Sequence, residues 1–200
     1  MNRSELETIF RDQTRLDRIK TLEPIRKLST HQYGCILNYF VENMKPGECY
    51  LDVGCWAGFS LFAGAIGNLN KKCIGVDNFS EAQGFSMYIE DRLDKFPNIT
   101  FHEMDYHDYF NFHNDKIGFY HYDADHTVQG QYDNLVLAKK VLQKDSITII
   151  DDWNWKDVQY GTKQFLKEND DFEVIFEEET NVDDINHQEL YNGICIIRRN

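Results

Sequence analysis

Short apolar runs recur along the chain at 49–53 (CYLDV), 73–76 (CIGV), 99–102 (ITFH), 117–122 (IGFYHY), 146–150 (SITII), 172–176 (FEVIF) and 193–197 (GICII), which makes seven candidate strands. Between them, 58–67, 80–95, 127–143 and 155–168 carry apolar positions at helical spacing, with a weaker aromatic turn near 107–113. An earlier helix is expected at about 31–43, after a polar N-terminal helix or arm. Strands that alternate with helices predict an α/β fold: one doubly wound, mostly parallel sheet with helices on both faces. The last two runs are joined by EEETNVDDINHQELYN, which has no convincing long helix, so an antiparallel pair is expected at the sheet edge. Pro24, Pro46 and Pro97 all fall between elements, and no repeat or Pro/Gly-rich linker divides the chain.

Composition narrows the class. The 200 residues, 42% of them hydrophobic, suffice for one sizeable core. The 34 acids outnumber the 21 bases for a formal charge of -13, and no Lys/Arg run occurs, so neither nucleic acid nor a membrane surface is an expected partner. The charged N-terminus has no apolar signal core and no stretch is long enough to span a bilayer, which predicts a cytoplasmic protein. Five scattered cysteines without a C-x-x-C pair read as reduced packing residues.

Charge placement then points to chemistry. In a parallel sheet ligands gather at the carboxyl ends of the strands, and the residues there are Asp52-x-Gly54, Asp77, Asp105, Asp123-x-Asp125 and Asp151-Asp152. Any one of these acids is an ordinary helix cap or turn residue, but five strand ends in series are harder to explain that way. Gly54 and Gly58 leave room for a ligand at the first strand-to-helix turn, and Asp52 is expected to face the cleft, where an acid suits a cation better than a pyrophosphate. The spacing is G-x-x-x-G, not the G-x-G-x-x-G of a dinucleotide site. Asp77 stands where a carboxylate accepts ribose hydroxyls, Asn78 and Phe79 where an adenine ring would lie, and Asp105 where an exocyclic amine would reach.

With these residues in place, the chain resembles the class I S-adenosylmethionine-dependent methyltransferases: YLDVGCWAG looks like their first motif, IGVD their second and HEMDY their adenine loop. The resemblance covers roughly residues 35–200 and implies a Rossmann-like seven-stranded sheet whose antiparallel last strand is inserted before the sixth. It implies S-adenosyl-L-methionine as cofactor, held by Asp52, Gly54, Gly58, Asp77, Asn78, Phe79, Asp105 and Tyr106. Residues 1–34 then stand apart as a helical arm or a cap over the substrate, and 35–200 as the methyltransferase domain.

YDADHT and IIDDW resemble one branch more closely, the magnesium-dependent O-methyltransferases of antibiotic sugars and macrolides, with catechol O-methyltransferase a more distant relative. That branch implies Asp123, Asp151 and Asp152 as ligands of Mg²⁺ or another divalent cation. The 28 residues from Asp123 to Asp151 accommodate a crossover helix and one strand, so neighbouring strands would bring the acids together, where they repel one another without a cation. Such oxygen ligands suit Mg²⁺, Mn²⁺ or Ca²⁺. Asp125 takes the place of the branch's catalytic base; capping the helix that starts at His126 or Thr127 is its competing role. His126 and His187 match no recognised role, and Ala124 and Trp153 depart from the branch, where Gly and Tyr are common. The expected reaction is methyl transfer to a hydroxyl of a small molecule, sugar-like or another polyol or phenol. The alternatives are a metal-independent N- or O-methyltransferase and, disfavoured by the glycine spacing, a dinucleotide or nucleotide-sugar enzyme. The acceptor and the oligomeric state, a homo-oligomer included, stay open.

Overall fold

The computed structural model describes residues 1–180 and 189–200, so His187 and the middle of the 178–192 connection lie outside the described residues. All seven apolar runs form strands: β1 (Cys49–Val53), β2 (Lys72–Asp77), β3 (Ile99–Glu103), β4 (Ile117–Tyr122), β5 (Leu142–Ile150), β6 (Phe172–Glu178) and β7 (Ile194–Arg199). They make one sheet in the order β3-β2-β1-β4-β5-β7-β6. The first five pair in parallel, and β7 runs antiparallel between β5 and β6. The inserted, antiparallel last strand is therefore present as expected.

The helices are α1 (Arg3–Phe10), α2 (Gln13–Lys20), α3 (His31–Glu42), α4 (Phe59–Ala65), α5 (Ser86–Glu90), α6 (Tyr106–Phe112), α7 (Val128–Ala138) and α8 (Lys156–Glu168). They cover both faces of the sheet, as the period-two alternation in β1 shows. Tyr50 points into a core with Leu6, Phe10, Ile36 and Phe62, while Leu51 and Val53 point into one with Tyr120, Leu135 and Phe165. Burial on both sides is why the central strands read as continuous apolar runs.

Two boundaries differ from expectation. The helix anticipated over 80–95 is broken, with turns leading to the five-residue α5 and then a 3-10 turn at Leu93–Lys95; Gly84, at φ 81°, takes a left-handed conformation that keeps helical winding from starting before Phe85. The helix anticipated to 143 stops at Ala138, because Leu142 pairs with Ile117 and draws the following residues into β5. The division between 34 and 35 lies within α3, in the span expected for that helix. Helix α1 starts with a capping box between Asn2 and Glu5, and α1 and α2 bury Leu6, Phe10 and Ile19 in the core they share with α3 and α4. Of the first thirty residues, Lys27, Leu28 and Ser29 in the α2–α3 connection line the cleft at the carboxyl ends of the strands. All five cysteines are buried free thiols. Among the described residues, no helix is long and apolar enough to cross a membrane.

Candidate active site

A cleft of about 1280 Å³ opens at the carboxyl ends of β1 to β5, the position that sheet topology favours for a ligand. Its floor begins with the glycine loop. Gly54 is at φ 89°, and a Cβ there would lie 1.8 Å from the carbonyl oxygen of Asp123, so the missing side chain admits the backbone after β4. Gly58, at φ 90°, is the N-cap of α4, and a Cβ would meet the Phe62 ring at 2.7 Å. The room that the two glycines provide is filled by the protein's own chain, which differs from the expectation of space for a ligand.

Asp77 ties this loop to the end of β2. Its Oδ2 accepts a hydrogen bond from the Trp56 amide at 2.8 Å and its Oδ1 one from the Phe79 amide at 2.7 Å. Burial raises its pKa, against the lowering effect of those two amides. Each oxygen keeps lone-pair capacity for a hydroxyl donor. Asn78 donates to Asp105 Oδ2 at 3.1 Å, and Asp105 also caps α6 through the His107 amide at 2.8 Å. Burial acts to raise the Asp105 pKa, but the bonds from His107 and Asn78 outweigh it and hold the carboxyl low. Tyr106 stacks on His107 with ring centroids 4.1 Å apart and lines the cleft. The Phe79 ring is buried toward Phe101, so its backbone edges the cleft more than its ring does.

Asp52 does not face the cleft, which corrects the expectation. On the Tyr50 side of β1 it is fully buried, with Oδ2 accepting from Ser60 Oγ at 2.7 Å and Oδ1 2.6 Å from His121 Nδ1. Burial acts to lower the His121 pKa, but its bonds to Asp151 and Asp52 carry it up to about 10. The ring thus bridges Asp52 through Nδ1 and, at 3.0 Å, Tyr33 Oη through Nε2. His121, Ser60 and Tyr33 were missed in the sequence; the signal available was an ionisable residue inside an otherwise apolar strand.

On the β4 and β5 side, donor atoms of Asp123, His126 and Asp152 lie within 4.8 Å of one another. His126 Nε2 sits 3.1 Å from Asp123 Oδ1 and 3.0 Å from Asp152 Oδ2. Burial acts to lower the His126 pKa, and the two carboxylates overcome it to bring it up to about 10. Asp151, expected in this group, turns inward instead: its Oδ2 lies 3.8 Å from His121 Nε2, and its Oδ1 accepts the Asp152 amide at 2.9 Å. The cause is local, since Asp152 adopts φ 53° and sends consecutive acids in different directions. Burial and then the Asp123 charge raise the Asp151 pKa. The two carboxylates, with a third behind, offer the oxygen donors that suit a hard divalent cation, and the imidazole between them would join as a ligand only on giving up its proton.

Asp125 is not brought into the cluster. The strand ends at Tyr122, whose hydroxyl bonds the Asp125 backbone, and the Asp125 carboxylate accepts the Thr127 amide at 2.9 Å. Its Oδ2 lies over Gly130, where a Cβ would be 2.1 Å away. The side chain thus forms an Asx-turn ahead of α7, whose N-cap is Thr127, and Asp125→Asn is expected to leave turnover near the wild-type rate, because Asn makes the same turn. A loss of roughly 10²–10⁴-fold in a steady-state assay would instead restore the role of base.

The sequence pattern of the family described as "Methyltransferase domain" matches residues 51–153, just over half of the chain. No curated protein matches. Among solved structures, an O-methyltransferase from Bacillus cereus in complex with S-adenosylhomocysteine is similar over 97% of this chain and 94% of its own, with TM-score 0.68 and 13% identity. The S-adenosylhomocysteine-bound Podospora anserina methyltransferase PaMTH1 is similar over 94% and 88%, with TM-score 0.65 and 12% identity. An rRNA-methylase candidate from Clostridium thermocellum is similar over 88% and 99%, with TM-score 0.62 and 16% identity. At such identities the likeness concerns the fold, which serves more than one kind of acceptor.

Proposed function

This chain belongs to the methyltransferase-domain family, with the class I S-adenosylmethionine-dependent fold, and we propose that it methylates a hydroxyl of a small molecule with the help of a divalent cation. The supporting observation is the Asp123–His126–Asp152 cluster, which shares one cleft with the Asp77 and Asp105 carboxylates. Asp77 would accept the ribose hydroxyls, and Asp105, Asn78 and Tyr106 would border the adenine. The buried Asp52 would act from beneath, by holding Ser60 and His121. On the other side, Asp123 and Asp152, with His126 or Asp151, would hold the cation. When bound, such a cation orients an acceptor hydroxyl and lowers its pKa. The net charge of -13 disfavours an RNA acceptor despite the rRNA-methylase neighbour.

Two expected results test this reading. A substrate panel assayed with S-adenosylmethionine should lose turnover on exhaustive chelation and regain it with Mg²⁺ or Mn²⁺, while S-adenosylhomocysteine still raises the melting temperature. Full activity after chelation would leave the metal-independent N- or O-methyltransferase in its place. Asp77→Ala should weaken S-adenosylhomocysteine binding by about 1.5–3 kcal/mol, because the hydroxyls lose a charged acceptor. Unchanged affinity by titration calorimetry would remove Asp77 from the cofactor site.

A further inference from the structure

Asp152 is reached from a distant part of the chain. Its φ of 53° lies in the left-handed region, which Asp enters more readily than most residues with a Cβ. While Oδ2 faces His126, Oδ1 accepts a 2.6 Å hydrogen bond from Asn192 Nδ2, just before β7. Asn192 is itself fastened, since its carbonyl accepts the Asn154 amide at 3.0 Å. The Asn154 side chain grips the exit of β6, accepting the Thr180 amide at 2.8 Å and donating to the Thr180 carbonyl at 3.0 Å. Thr180 Oγ1 closes the clamp by donating to the Tyr191 carbonyl at 2.5 Å. Gly193, at φ 86°, completes it, because a Cβ there would lie 2.7 Å from Asn154 Oδ1 and 2.9 Å from the Glu178 carbonyl.

The described ends of the β6–β7 connection are thus pinned to the turn between β5 and α8, and the side chain delivered into the cleft at that point is an amide. We propose that Asn192 is a positioning residue that fixes the Asp152 carboxylate for the divalent cation, so that the metal site extends to the residue just before β7. A neutral amide N–H suits this role, because it satisfies one oxygen without adding charge and leaves the other directed at the cluster. Without it the carboxylate is free to rotate away from Asp123.

This inference rests on the metal reading above, and Mn²⁺ titration followed by electron paramagnetic resonance separates the two. Asn192→Ala and the near-isosteric Asn192→Leu should each weaken Mn²⁺ binding by about 10–100-fold, the usual effect of losing a partner that orients a metal ligand. S-adenosylhomocysteine affinity should stay at the wild-type value in the same samples. Equal Mn²⁺ affinity in wild type and both variants would overturn the role of Asn192 and leave the metal site standing. No Mn²⁺ binding by the wild type would overturn both. Parallel loss of Mn²⁺ and S-adenosylhomocysteine binding in both variants would make Asn192 a structural residue and refute the positioning role.

Discussion

Asp52→Ala is expected to destabilise the protein by about 3–5 kcal/mol, the range for removing one partner of a buried charge pair. His121 is 1% exposed between Asp52 and Asp151, whose carboxylates favour its protonated form, so removing Asp52 takes away the nearer of its two acidic partners. Ser60 Oγ loses its acceptor in the same step. Asp52→Asn should recover part of the loss, since an amide oxygen still accepts a bond but carries no charge. Urea denaturation followed by tryptophan fluorescence measures both variants. An Asp52→Ala protein with the wild-type midpoint would mean that His121 is neutral and the pair contributes nothing.

Gly54→Ala should be at least as damaging, at about 4 kcal/mol or more, beyond the usual range for a single substitution. A methyl group at 1.8 Å from the Asp123 carbonyl oxygen meets backbone, which cannot swing aside, and the φ of 89° adds strain for any residue with a Cβ. Gly84→Ala is the control: φ is 81° there, but nothing lies within 4 Å, so the cost should be only the left-handed strain of about 1–2 kcal/mol. If the two variants unfold at the same urea concentration, the contact between the glycine loop and the β4 end is not what requires Gly54. Any Gly54→Ala protein that folds should also bind divalent cations poorly, because its relief must move Asp123.

The seven strands were legible because the central ones are buried on both faces, which leaves an apolar run whatever surrounds it. Asp77 and Asp105 could be placed at strand ends for the same reason. Directions were harder to read. Strand alternation puts Asp52 on the Tyr50 face, but only its bonds to Ser60 and His121, which themselves line the cleft, show that its carboxylate is covered. For Asp125 and His126 the outcome depended on whether the chain stayed extended after Tyr122, and the bonds between the Tyr122 hydroxyl and the Asp125 backbone have no sequence signature. Asp151 and Asp152 are adjacent and alike, and one left-handed φ separates their roles. Asn192 lies 40 residues from the acid it binds, so no local pattern could announce it.

The placement of β7 between β5 and β6 also sets an order of events during synthesis. A nascent chain that has emerged only as far as Glu178 has six of the seven strands, yet β6 has no neighbour to pair with, and β5 offers the ribosome's surroundings a bare edge. Val174, Ile175 and Phe176 then wait for a strand that has not been made. This half of the sheet closes only once β7 is made, and until then its unpaired edges are open to aggregation or to chaperone capture.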